Sequence, residues 1–140
     1  MTTSYQVKSF YCNTSLTMLT TSNGSKFNTP SFIYKSYSLL RFNVLDANQD
    51  PVNLSGATFE FKVNDTYNGT NLITVANSDF IMDDLTNGLV SCKADFNQAA
   101  IGTYLDLIAS DTVQCSLWCD LTGISYLLVA FEANMKNRIS

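Results

Sequence analysis

Residues that carry catalytic chemistry are sparse in this chain. The 140 residues include no histidine, which excludes Ser-His-acid triads, Cys-His pairs and histidine-ligated metal sites. Paired carboxylates are the remaining candidate, from four acidic residues, Asp79, Asp83, Asp84 and Asp106. Adjacent strand residues point to opposite faces, so nothing in this spacing requires a shared cleft. We therefore expect a protein that is not an enzyme, with no catalytic residue and no cofactor.

Metal-binding spacings are also missing. The four cysteines are Cys12, Cys92, Cys115 and Cys119. No two of them have the CxxC spacing of structural zinc or thioredoxin chemistry, so buried thiols are the favoured interpretation and a disulfide is the alternative. Residues 46–50 (DANQD) resemble the opening of a calcium loop, but Pro51 replaces the required glycine and Ala57 the closing glutamate. A β-turn is predicted there, and no metal ion.

Aromatic side chains are the other candidates for binding chemistry. The single tryptophan, Trp118, can form a platform on which a sugar ring stacks, together with Tyr104 or Tyr126. Aromatic residues in strands more often fill cores and subunit interfaces, which is the favoured interpretation for all three. If the chain binds a ligand, Trp118 is the candidate platform.

Charge and hydropathy limit the partners. The formal net charge is −4 and the eight cationic residues are scattered, whereas a duplex-binding protein needs clustered lysine and arginine. Residues 1–10 lack the pattern of a secretory signal, and the longest apolar run, residues 126–131, is too short to cross a bilayer. We expect no nucleic-acid partner, no membrane partner, and synthesis in a cytoplasm.

Apolar and polar residues alternate along most of the chain. In residues 57–64, Ala57, Phe59, Phe61 and Val63 share one face, which is typical of a half-buried strand. Asn87-Gly88 predicts a type I′ hairpin turn, and a single helical turn is expected from Asp95 to Gly102. Further strands are predicted at residues 39–44, 72–75, 80–82, 90–94, 103–109, 113–119 and 124–133. This spacing predicts an all-β fold, a two-layer antiparallel β-sandwich.

The first 36 residues have a different character. They are rich in Ser, Thr and Asn and alternate only weakly, so they form either an amino-terminal arm or extra edge strands of the sandwich. An arm would pack its aromatic residues on a neighbouring subunit, because leaving them in water is unfavourable. The candidate interface residues are Phe10, Tyr11, Phe27, Phe32 and Tyr34. The predicted organisation is an assembly segment at residues 1–36 and a sandwich domain at residues 37–140.

Two stretches resemble a known family. Residues 37–46 (YSLLRFNVLD) and 50–63 (DPVNLSGATFEFKV) are similar to the amino-terminal immunoglobulin-like domain of the upper baseplate proteins of tailed bacteriophages. Asn53 and Ser55 stand where that family has Asp and Thr. Residues 87–90 (NGLV) and 101–104 (IGTY) match its later hairpin and strand-entry motifs, with Ile101 in place of Ala. The resemblance spans residues 37–133 and implies an immunoglobulin-like fold in a phage tail or head appendage.

The resemblance and the lack of catalytic groups give one functional expectation. The chain is predicted to be a bacteriophage virion structural protein of the head, neck, tail or baseplate, assembled in the host bacterial cytoplasm. Its partners are then other virion structural proteins and copies of itself. The alternative is a module of a phage tail or head fibre that binds carbohydrate or the host surface through Trp118.

Overall fold

The computed structural model describes residues 5–23, 25, 27–66, 69–107 and 112–136. These residues form ten strands, one α-helix and two short 3₁₀ turns. The strands are β1 (Gln6–Asn13), β2 (Met18–Thr20), β3 (Ser31–Ile33), β4 (Tyr37–Leu45), β5 (Thr58–Asp65), β6 (Asn71–Val75), β7 (Phe80–Asp84), β8 (Leu89–Asp95), β9 (Thr112–Leu121) and β10 (Ile124–Lys136). The helix α1 spans Ala99–Leu107, and the 3₁₀ turns are Asn77–Asp79 and Leu85–Asn87.

Alternation in the sequence selects the residues that fill the core. In β5, Phe59, Phe61 and Val63 are buried while the residues between them are partly exposed. The same pattern in β4, β8 and β9 buries the other inward-facing positions, which include Leu40, Phe42, Val90, Cys92, Val113 and Leu117. Two half-buried sheets must cover their apolar faces with each other, so a two-layer structure follows.

The strands form two packed five-stranded sheets. The first sheet has the order β2-β1-β4-β8-β7, and the second has the order β3-β10-β9-β5-β6. Most neighbouring strands are antiparallel, but β1 runs parallel to β4 and β3 runs parallel to β10. The prediction of an all-β sandwich is therefore confirmed, with two parallel pairs in addition to the antiparallel ones.

The amino-terminal segment belongs to the sandwich. Strand β1 lies between β2 and β4 in the first sheet, and β3 forms an edge of the second sheet. Phe10 is 2% exposed and Phe32 is fully buried, with the Phe32 ring stacked on Phe96 at 4.8 Å. Of the two arrangements predicted for this segment, the described part adopts extra strands. The expectation that Phe10 and Phe32 anchor a neighbouring subunit is corrected, because both side chains fill the core of their own chain.

A helix occupies residues 103–107 of the strand predicted at residues 103–109, and residues 108 and 109 lie outside the described residues. Ile101, Tyr104 and Leu105 follow helical spacing and turn toward the core, so α1 continues to Leu107. Asp95 does accept hydrogen bonds from the Asn97 amide and the Gln98 side chain, but Gly102 lies inside the helix and does not end it. A Cβ atom at residue 102 would collide with the Tyr34 hydroxyl, which explains a glycine there.

The type I′ turn lies at a different hairpin from the one predicted. Residues 85–87 form a 3₁₀ turn before β8, and only Gly88 has a positive φ, at 71°. Between β9 and β10, Thr122 and Gly123 have φ values of 54° and 80°, the signs that a two-residue type I′ turn requires. That turn joins the two longest strands of the structure.

Candidate functional site

The thiols do not form a reactive site. Cys12, Cys92 and Cys115 are almost completely buried, and this burial raises the pKa of each thiol far above its ordinary value. The pKa of Cys119 is raised by burial and then by the neighbouring Asp120 carboxylate. Because the thiolate is the nucleophile and the metal ligand, these cysteines are inert core residues in the folded state. All four are free thiols.

The acidic residues singled out in the sequence do not converge. Asp83 accepts a hydrogen bond from the Ser91 hydroxyl, whereas Asp84 accepts one from the Asn87 side-chain amide at 2.8 Å. Asp79 lies in an exposed 3₁₀ turn, and the side chain of Asp106 is outside the described residues. Within the part of the chain that the structure describes, no group of three or more cysteines and acidic residues is placed to hold a metal ion.

The outer face of the first sheet carries apolar side chains among polar ones. Its outward positions alternate with the core positions of β1, β4, β8 and β7. Val7 lies beside Leu39 across the parallel pair, and the exposed fraction of Val7 is 55%. Six apolar residues define this face, which we call the sheet-one face: Val7, Tyr11, Tyr37, Leu39, Ile81 and Leu89. Half-exposed apolar side chains grouped in this way mark interaction surfaces.

Charged residues of both signs lie on the sheet-one face. Arg41 and Asp83 line one shallow groove, together with Ser9 and Tyr11. Lys93 and Asp95 lie further along β8 on the same side. Asp84 pairs with Leu89 of this face and adds a third carboxylate. The face therefore carries two cations and three anions, so most of the net charge of −4 lies outside it, which limits electrostatic repulsion between two such faces.

One edge of the first sheet continues the apolar face. Strand β7 is the edge strand next to β8, and its Ile81 and Met82 are 40% and 39% exposed. The register of β7 against β8 shifts between Ile81 and Asp84, which is a bulge or irregularity of the type that interrupts pairing at an edge. Together with the carboxylates of Asp83 and Asp84, this irregularity protects the edge against pairing with another strand, while Ile81 and Met82 remain exposed.

The outer face of the second sheet is mostly polar and carries Trp118. The β5–β9–β10 register places Glu60 and Leu127 on either side of Trp118. The indole nitrogen donates a hydrogen bond to the Ser116 hydroxyl at 3.0 Å, which fixes the ring along the strand. A groove of about 490 Å³ runs beside the ring, and its polar lining residues are Thr58, Glu60, Lys62, Asn77, Asp120 and Ser125.

The sequence-predicted site residues are dispersed. Tyr11 lies on the sheet-one face, Phe27 and Tyr34 pack partly buried against the core, and Trp118 lies on the opposite sheet. Tyr104 is buried and Tyr126 is 45% exposed, and neither lines the Trp118 groove. Sequence reasoning missed Val7, Leu39 and Leu89. The signal for them was an apolar residue at an outward position of an alternating strand.

The fold and these surfaces define an all-β two-sheet sandwich, with apolar side chains grouped on the outer face of the first sheet and a mostly polar groove beside Trp118 on the second. No protein-family model matches the chain, and no curated protein matches it in sequence. Among the described residues, no helix is both long and apolar enough to span a membrane. A functional proposal therefore depends on the surfaces themselves and on the resemblance of residues 37–133.

Proposed function

We propose that this protein is a structural subunit of a bacteriophage particle, and that it assembles by docking its sheet-one face against the same face of a second copy. The observation that carries this proposal is the apolar outer face of the first sheet, with Val7 more than half exposed beside Leu39. Burial of such side chains is the main favourable term in protein association.

The size of the face is adequate for a stable contact. With strands about 4.8 Å apart and about 3.3 Å per residue, four strands of this length cover roughly 20 by 25 Å. Protruding side chains make the solvent-accessible area larger than this flat area. A standard interface buries about 800 Å² on each partner. The four strands already include β7, so the flat area is about 500 Å² on each partner, the lower end of the range for a specific interface.

The charges favour a second copy as the occupant. A two-fold axis brings the same surface patch of both copies together, so each charged residue needs an opposite charge elsewhere on the same patch. Arg41 and Asp83 border one groove and provide such a pair. Among the described residues the one ion pair is Lys62 with Glu60, so Arg41 has no carboxylate within salt-bridge distance there.

The virion setting comes from the resemblance to upper baseplate immunoglobulin-like domains. The two-sheet sandwich is compatible with that resemblance, and an immunoglobulin-like strand arrangement remains part of the proposal. Mass spectrometry of purified particles from the source tests the setting directly. High copy number in particles supports it, and absence from particles contradicts it.

Sedimentation of the purified full chain tests the docking surface. We expect a dimer that becomes monomeric when Val7 and Leu39, which are cross-strand neighbours, are both replaced by Asp. The matched control replaces Asn64 and Gln114, cross-strand neighbours on the outer face of the second sheet, by Asp. This control introduces the same charge at two paired strand positions and should remain dimeric.

Two results would contradict the docking surface. A wild-type chain that stays monomeric at all accessible concentrations removes the second copy as occupant. Equal dissociation by both double variants means that added charge acts non-specifically. Circular dichroism of each variant confirms that the two sheets are retained.

A further inference from the structure

The Trp118 groove has the properties of a ligand site that is separate from the sheet-one face. It lies on the second sheet, so copies docked through the first sheet leave it accessible. Subunit assembly gives no reason for an indole ring within a mostly polar sheet face. We propose that this groove binds a neutral sugar, with one pyranose ring stacked on the indole of Trp118.

The indole is oriented for stacking. Its one polar atom, Nε1, already donates to the Ser116 hydroxyl two residues earlier in the same strand. The ring is therefore held along β9, and its polar atom does not need a hydrogen bond from the ligand. Trp118 is only partly buried, so ring surface remains available in the groove. The apolar face of a pyranose ring matches such a surface.

Hydrogen-bonding groups flank the indole on both sides. The strand register places Thr58, Asp120 and Ser125 in one row across β5, β9 and β10. The opposite row contains Lys62 and Ser116. A stacked sugar ring projects hydroxyl groups from its rim, which can donate to the carboxylates and accept from the ammonium and hydroxyl groups. Few polar groups placed around an apolar surface are typical of a ligand site.

The charges define the class of sugar. Two carboxylates, those of Glu60 and Asp120, line the groove, and the single cation Lys62 lies 3.3 Å from Glu60 in an ion pair. An acidic sugar would place its own carboxylate near two others, with the nearby cation already engaged. A neutral hexose or N-acetylhexosamine avoids this repulsion. The volume of about 490 Å³ lies in the range of small-molecule sites and accommodates one or two rings.

The single tryptophan gives a direct assay. The full chain is titrated with maltotriose, triacetylchitotriose and 3′-sialyllactose while the emission of Trp118 is recorded. We expect a saturable change with a neutral trisaccharide and at least tenfold weaker binding of the sialylated one. No response to either neutral trisaccharide, or tighter binding of the acidic one, overturns the proposal.

Variants locate the site. The double variant Glu60→Gln and Asp120→Asn keeps the fluorophore and should weaken neutral-sugar binding at least tenfold. For Trp118→Ala, saturation-transfer NMR with the same sugars should show loss of binding. Tyr126→Ala, which removes an exposed ring outside the groove, should bind normally. Undiminished binding by the folded Trp118→Ala variant overturns the assignment. The Val7 and Leu39 double variant should still bind, so failure of the docking surface is distinguishable from failure of this site.

Discussion

The hydroxyl of Tyr104 donates a hydrogen bond to the backbone carbonyl oxygen of Thr112 at 2.7 Å, which ties helix α1 to the first residue of β9. The Thr66 hydroxyl contacts both partners, with its oxygen 3.3 Å from the tyrosine oxygen and 3.2 Å from the same carbonyl. The corner between β5, α1 and β9 is therefore held by one buried phenol and one threonine.

Tyr104→Phe tests this corner. The variant removes the donor but leaves the Thr112 carbonyl with Thr66, so we expect a loss of about 1 kcal/mol in the free energy of unfolding. Urea denaturation measures the change. The control is Tyr126→Phe, at a side chain that is 45% exposed, which should change stability by less than about 0.5 kcal/mol. Equal effects of the two variants would contradict a structural role for the Tyr104 hydroxyl.

Gly88→Ala tests a close approach of three backbone segments. A Cβ atom there would lie 2.5 Å from the Val44 carbonyl oxygen and 3.0 Å from that of Val52, and Gly88 also has a positive φ. We expect a loss of about 2–4 kcal/mol, because steric overlap adds to the usual left-handed strain of about 1 kcal/mol. Thermal and urea unfolding measure the loss.

Gly123→Ala is the matched control for that experiment. Gly123 has a similar φ of 80°, but a Cβ atom there would meet no described atom within 4 Å beyond its chain neighbours. The variant therefore isolates the left-handed strain of about 1 kcal/mol. If Gly88→Ala lowers the free energy of unfolding by no more than Gly123→Ala does, the β4 backbone moves away from the added methyl group at little energetic cost.

Phe10→Ala tests whether the first segment is part of the core. The Phe10 ring packs at 5.6–6.5 Å from four other rings, those of Phe27, Phe32, Phe42 and Phe131. We expect a loss of about 3–5 kcal/mol in the free energy of unfolding, from lost burial and the cavity that remains. Leu16→Ala, at a position that is 63% exposed, serves as the control with a small effect.

Removal of residues 1–36 gives a sharper version of the same test. The deletion takes away β1, β2 and β3 and exposes both sheets, so the remaining chain should fail to give a β-rich circular dichroism spectrum. A folded, cooperative product would mean that the segment only lies on a complete sandwich.

The buried thiols predict a loss of stability at alkaline pH. Burial raises the folded-state pKa of Cys12, Cys92 and Cys115 above the ordinary value of 9.0, which the thiols regain on unfolding. Above about pH 9 the unfolded chain releases protons that the folded chain retains, so unfolding becomes more favourable as the pH rises. Below about pH 9 the thiols are protonated in both the folded and the unfolded chain, so they add no pH dependence to the free energy of unfolding. The slope is up to about 1.4 kcal/mol per pH unit for each thiol.

Urea titrations at several pH values check this dependence. Cys12→Ala should lower the free energy of unfolding at neutral pH. Above about pH 9 it should also make the decrease of that free energy with pH less steep, by the contribution of one thiol. An unchanged slope in this variant would assign the alkaline loss to other groups. Alkylation of the folded protein by iodoacetamide should also be much slower than alkylation in urea.

Several strands were predictable because their information is local. The period-two pattern of β5 and β9 identified the buried positions Phe61, Val63 and Leu117 correctly. The pattern needs only neighbouring residues and one buried face. Where local signals compete, prediction failed. Residues 101–105 contain β-branched and aromatic residues that suit a strand, yet packing of Ile101 and Tyr104 against the core selects a helix.

By itself, the sequence determined the all-β class, the inward faces of the strands, and the absence of histidine chemistry, because composition and alternation are properties of the chain alone. Tertiary structure decided which segments meet. It inserted β1 beside β4 and placed Glu60 beside Trp118, although 58 residues separate those two in the chain. Strand order and register depend on which pairing buries the most surface across the whole domain, and no local pattern contains that comparison.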